Sequence, residues 1–393
     1  MGTRNIGGSG GTSHIGQLVV GLFLLGLAVA PSVADTKPKT GGFKPIPVFA
    51  IYPPLKAAAS ADEQLASGRV ADEHFAMVAP ASRPWRIAFL FPHLKDPYWV
   101  GCAYGVMREA ARLGVASDIL PAAGYDDLIG QLRRMDQAIT ARYDAIVISP
   151  ISQTGNNASI AKAAKLGIPV FELANDSTSD DLTIKVTTSL KGMGSDAMQW
   201  VVHDAERRGL SAINVALLPG PADAGWVKGE VAGSRAAAAT AAIKVNIVDI
   251  KYGDSDLIRQ SQLAAQLLIQ HGRTLDYILA CTGCAPAAIL PLRQAGLQGK
   301  VRIVAYDLTR EIADSIRRGE IVAAVDTRGV SQARLAIDAA VDVLEKRNAR
   351  VPRAILVKLG LVDRGNFAAY DFDSSIAPKG YAPILSSSPG AAR

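Results

Sequence analysis

Three cysteines and five histidines in 393 residues leave little material for metal or redox chemistry. Cys281-Thr282-Gly283-Cys284 has no second ligand pair that would make it a structural zinc centre. His14, His74, His93, His203 and His271 are scattered without HExxH spacing, and no phosphate-cradling Walker loop occurs. No catalytic residue, metal site or cofactor is therefore expected. Long apolar runs are lacking too. The longest, Leu18 to Ala30, has thirteen residues, short of the ~20 that span a bilayer, which excludes a polytopic membrane protein. Charge is modest, at 20% of residues and a formal +6, and no basic helix is interleaved with aromatics. Nucleic acid is thus not an expected partner.

What is present is a globular chain, 49% hydrophobic, long enough for two domains with separate cores. Residues 1–34 read as a secretory signal: Arg4, the apolar run, then Ser32-Val33-Ala34 as a small-residue cleavage site. Arg4 is the only charge in that segment, so its removal takes +6 to +5. Residues 35–84 read as an N-terminal extension, rich in Pro, Gly, Lys and Ala and without a sustained period. It is either a docking arm or a solvated linker, with one short helix around Ala61 to Ser67. From Trp85 strands and helices alternate, which implies βαβ units and parallel sheets. The pattern restarts at Ala212. QLRRMDQAITARYDAIVIS and SQLAAQLLIQHGRTLDYILAC each give a helix, a turn and an Asp-led apolar strand, the sign of two similar halves. The fold class is α/β, with two doubly wound parallel-sheet lobes. The Ser-, Pro- and Gly-bearing tail, 386–393, is expected to be disordered.

Arg86 to Gly105, RIAFLFPHLKDPYWVGCAYG, organises the chain. Ile87 to Phe91 is uninterruptedly apolar, as in a parallel strand buried on both faces. Asp96-Pro97 then supplies an N-cap and a first helical residue, which puts Tyr98 and Trp99 in the first turn. Open α/β sheets bind ligands just outside the carboxyl ends of their strands, where this turn would lie. The two rings are either cleft walls or packing under the next helix.

The order of elements from Trp85 to Pro383 resembles the type I periplasmic binding proteins, two lobes that close on a small solute. LKDPYW, AAGYDD, LLPGPADAG with a following G-x-RAA run, and the terminal YAPI are similar to the branch that reports trimethylamine N-oxide (TMAO) to a sensor histidine kinase. The resemblance implies a first lobe of 85–187 and 327–350, and a second of 188–326 and 351–385. It implies solute contacts at Tyr98, Trp99, Tyr125, Asn175, Lys228 and Asp307, with Asp326 at the second-lobe hinge. It implies a periplasmic location and, as partner, the periplasmic domain of a sensor kinase or, alternatively, an ABC permease. Leu190 and Asp307 stand where the TMAO branch has aromatic rings. A methylated cationic nitrogen gains from such rings, so a polyhydroxylated or cationic solute is expected instead.

Three features stay open. His93, in the loop before Tyr98, is a possible solute contact or a solvated side chain. Trp226 is a ligand wall or second-lobe packing. Cys281 and Cys284, in an exported chain, are first read as a disulfide, with the redox centre of an exported thiol oxidoreductase as the alternative.

Overall fold

The computed structural model describes residues 45–52, 60–67, 69–347 and 352–388. The signal segment 1–34, residues 35–44 of the extension and residues 389–393 of the tail lie outside the described residues. The chain begins with β1 (Ile46–Tyr52), α1 (Ala61–Ser67) and β2 (Arg69–Phe75). Then come β3 (Arg86–Leu90), α2 (Pro97–Leu113), β4 (Ala116–Ile119), α3 (Leu128–Thr140), β5 (Ala145–Ile148), α4 (Asn157–Lys165), β6 (Val170–Leu173) and β7 (Ile184–Thr187). A second series has α5 (Leu190–Arg207), β8 (Ala212–Gly220), α6 (Gly225–Ala239), β9 (Lys244–Tyr252), α7 (Leu257–His271), β10 (Tyr277–Ala280), α8 (Cys284–Gln294), β11 (Arg302–Ala305), α9 (Arg310–Arg318) and β12 (Ala323–Asp326). Last are α10 (Gly329–Leu344), β13 (Ala354–Val357), β14 (Gly360–Asp363) and β15 (Ser386–Ser387).

Two sheets result. The larger runs β15-β4-β3-β5-β6-β7-β13-β1-β2, parallel from β4 to β13 and antiparallel at β15, β1 and β2. The smaller runs β14-β12-β11-β10-β8-β9, antiparallel only at β14. Each sheet is covered on both faces: α2 and α10 oppose α3 and α4 on the larger, and α5 and α6 oppose α7, α8 and α9 on the smaller. This is why Ile87 to Phe91 is apolar without alternation, every one of its side chains being fully buried.

Three parts differ from the sequence reading. The extension is no solvated linker, since β1 pairs with β13 and β2 pairs with β1 along the edge of the larger sheet. The strand in β1 is masked in sequence because Pro45, Pro47 and Pro53-Pro54 break up its apolar period, although Val48, Ala50 and Ile51 are buried. β13, expected in the second lobe, lies beside β7 in the larger sheet. AILV would suit either sheet, and its pairing is a tertiary choice. Ser386 and Ser387, expected to be disordered, pair with Ser117 and Asp118 on β4.

The chain crosses between the sheets at Thr188-Ser189, Thr327-Arg328 and Lys358-Leu359. These crossings are tied together: Thr188 Oγ1 donates to Val357 O at 2.8 Å and Arg328 Nε to Lys358 O at 3.2 Å. Asp62 of α1 reaches across as well, accepting from Lys191 N at 2.8 Å and from Ser189 Oγ. A carboxylate there satisfies an orphan N–H of α5 and complements its helix dipole.

Candidate ligand-binding cleft

The cleft is built from strand ends. Asp96 caps α2, its Oδ1 accepting from Tyr98 N at 2.8 Å, and Pro97 takes the first helical position. Tyr98 and Trp99 therefore stand at the carboxyl end of β3. Trp99 is 2% exposed, its ring 5.2 Å from Phe91 and 5.1 Å from Tyr98, so it is at once core and cleft wall. Tyr98 can sit there because residue 329 has no side chain: a Cβ on Gly329 would come within 2.8 Å of the Tyr98 ring.

Tyr125 and Asn175 form a second wall. Ala174 adopts the left-handed conformation, φ 64°, a strained turn that costs roughly 1–2 kcal/mol outside glycine. Beyond it Asn175 Nδ2 donates to Pro150 O at 3.0 Å and to the Tyr125 hydroxyl at 3.3 Å. The Trp226 indole N–H reaches toward the same hydroxyl without completing a hydrogen bond. Burial pushes the Tyr125 phenol upward, so it remains neutral.

The opposite side comes from the helices on the smaller sheet. α5 and α6 touch backbone to backbone, because a Cβ on Gly194 would fall against Glu230 O and one on Gly233 against Lys191 O. That approach brings Leu190 and Met193 of α5, and Trp226 and Glu230 of α6, to the cleft. Asp307 follows β11. Its Oδ1 accepts from Leu308 N at 2.7 Å and Thr327 N at 2.9 Å, and its Oδ2 from Thr327 Oγ1 at 2.7 Å. Burial, with the Asp326 carboxylate as a smaller contribution, lifts Asp307 from 3.8 to about 7. Burial also holds Glu230 well above the usual carboxylate range, with Asp307 again adding to it. The enclosed volume is small, ≈ 60 Å³.

The residues singled out from sequence thus divide. Tyr98, Trp99, Tyr125, Asn175, Leu190, Trp226 and Asp307 converge on one cavity. Lys228 does not line it and is exposed. Two residues further along α6, Glu230 does line it, and sequence reading missed it. The available signal was a lone acid between Gly229 and Gly233, in a helix whose other charges, Lys228 and Arg235, are basic. Asp326 is fully buried beside the crossings, accepting from Arg328 N at 2.8 Å, the Tyr370 hydroxyl at 2.7 Å and Ser375 Oγ. His93 does not line the cavity. It packs edge-on against Tyr125 at 5.5 Å, and burial lowers its pKa, which favours the neutral ring. Cys281 and Cys284 are joined as a disulfide, and Cys102 is free and buried. Among the described residues no cluster of side chains is arranged to hold a metal ion, and no helix is long and apolar enough to cross a membrane.

Comparison with known proteins agrees with this fold. The periplasmic binding protein domain family matches residues 87–348. The periplasmic protein TorT of Escherichia coli K12 is 30% identical over 318 residues, 79% of this chain and 89% of TorT. A solved ABC transporter solute-binding protein from Bradyrhizobium sp. BTAi1, with bound Bis-Tris, is 33% identical over 87% of this chain and 98% of its own, with a TM-score of 0.73. TorT in its complex with the TorS sensor domain, without ligand, is 25% identical over 77% of this chain and 99% of its own, with a TM-score of 0.65. These relatives bind ligands and are not enzymes, which sets aside the thiol oxidoreductase. With its two doubly wound sheets and the cleft between them, the chain belongs to the type I periplasmic binding proteins.

Proposed function

We propose that this protein is exported on its signal segment, closes over a small solute in the periplasm, and presents the closed form to the periplasmic domain of a membrane sensor histidine kinase. The observation that carries this is the 30% identity to TorT across 79% of the chain, together with the solved TorS–TorT complex. Tyr98, Trp99, Tyr125, Asn175 and Asp307 are the proposed solute contacts. Closure suits such a site because both sides contribute walls, so a solute adds favourable contact only to the closed form. A second reading, delivery to an ABC permease, is favoured by the 33% identity to the Bradyrhizobium transporter component.

Deletion of the gene in its source bacterium separates the two. Loss of a solute-induced transcriptional response with uptake of the solute intact supports the sensor. Loss of uptake with the response intact supports the importer.

A further inference from the structure

Three acids, Asp96, Glu230 and Asp307, line the cleft, and among the described residues lining it there is no lysine, arginine or histidine. Two of the three are engaged by the protein itself. Asp96 accepts from Tyr98 N at 2.8 Å and Thr282 Oγ1 at 3.0 Å, and Asp307 accepts from Leu308 and Thr327. Glu230 differs. It is 1% exposed, and its Oε2 has no hydrogen-bond partner. Gln332, fully buried on α10, is in a similar position: its Nε2 donates to Thr327 O at 2.7 Å while its Oε1 has no partner.

Two residues that line one small chamber therefore each hold a buried acceptor to which no protein group donates. Burying an acceptor without a donor is unfavourable, and more so for a carboxylate. The aromatic faces of Tyr98 and Trp226 in the same walls favour positive charge. Taking this cleft as the solute site, we propose that its ligand is a small protonated amine with further N–H or O–H donors, Glu230 serving as its counter-charge and Gln332 as a second acceptor. An anion meets three acids here and no cationic side chain. A neutral polyol offers donors but leaves Glu230 without an opposite charge. TMAO has no N–H or O–H to donate to Glu230 or Gln332.

The titratable groups facing Glu230 are Asp307 and Tyr306. Neither is a cation: without solute, burial favours the protonated acid, and a bound ammonium supplies the charge that holds Glu230 ionised.

Calorimetry on the purified protein tests this with three probes: 2-amino-1,3-propanediol, glycerol, which has a hydroxyl in place of the amine, and TMAO. The amine should bind roughly 10- to 100-fold tighter than glycerol, the range of a charge-assisted buried hydrogen bond. Glu230→Gln keeps the size and should bring that ratio close to one. Equal or better binding of glycerol or TMAO, an undiminished ratio in Glu230→Gln, or no amine binding at millimolar concentration overturns the amine assignment. Tyr98→Ala reports on the cleft itself. If the amine binds with the expected preference but Tyr98→Ala leaves its affinity unchanged, the solute sits elsewhere and the reading of the cleft fails instead.

Discussion

Thr282 Oγ1 donates to Asp96 Oδ2 at 3.0 Å across the cleft. The donor sits between the two bonded cysteines at the end of β10, and the acceptor caps the helix that carries Tyr98 and Trp99. One side-chain contact thus links the smaller-sheet lobe to the aromatic wall of the other, and it exists only when the lobes are together.

Thr282→Val keeps the shape and removes the donor. A hydrogen bond to a charged group contributes about 1.5–3 kcal/mol, so solute affinity is expected to fall roughly tenfold or more. The melting temperature of the solute-free protein should move little. Titration calorimetry and thermal melts on the same preparation check both halves of this statement.

The disulfide holds the turn that presents Thr282. Cysteines 281 and 284 are expected to resist alkylation in protein taken from the periplasm and to become titratable after reduction, read by mass spectrometry of the peptides. Reduced protein should bind its solute more weakly than oxidised protein. No turnover is expected in an insulin-reduction assay; sustained turnover would return a redox function to the motif.

Trp99→Ala removes a ring packed on Phe91 and Tyr98 as well as a cleft wall. The loss in stability is expected to be about 3–5 kcal/mol, accompanied by weaker solute binding. Trp99→Phe should recover most of the stability. A Trp99→Ala protein with wild-type affinity at a temperature where it is folded would leave the ring a purely structural part.

The pH dependence of stability has a definite sign. Asp307 is raised from 3.8 to about 7 in the folded protein, so between those values the folded form holds a proton that the unfolded chain has released. Stability contributed by this group is full below the lower value and is lost as pH rises through the upper one. Glu230, raised in the same direction, adds to the decline. Denaturant unfolding at several pH values should show the trend in the solute-free protein, and Asp307→Asn or Glu230→Gln should flatten it.

Gly233→Ala should destabilise the protein by about 1–3 kcal/mol or more through overpacking, because the new methyl would collide with Lys191 O rather than with a flexible side chain. Chemical denaturation measures this. A neutral result would show that α5 and α6 can separate without cost.

How much of this was legible beforehand depends on range. Ile87 to Phe91 reads as a strand buried on both faces because burial on both faces leaves no room for alternation. Asp96-Pro97 reads as a helix start because an N-cap is satisfied within its own turn, and so Tyr98 and Trp99 can be placed at the end of β3 from sequence. Asn175 and Asp307 were reached through their positions at strand ends, by resemblance to the family. Lys228 was singled out in the same way and lies outside the cavity.

What the sequence determined by itself, then, is local: which segments are strands or helices, where caps stop them, and which residues stand at strand ends. Tertiary structure decided what depends on residues far apart. β1 and β13 found their sheet by pairing with each other, Thr282 met Asp96 across 186 residues of sequence, and Glu230 became a cleft residue only because Gly194 and Gly233 let two helices touch. A carboxylate on a helix is ordinarily solvated, and nothing within its own turn distinguishes one that will be buried; the neighbours that exclude water from it, and the partner it then lacks, are fixed by packing alone.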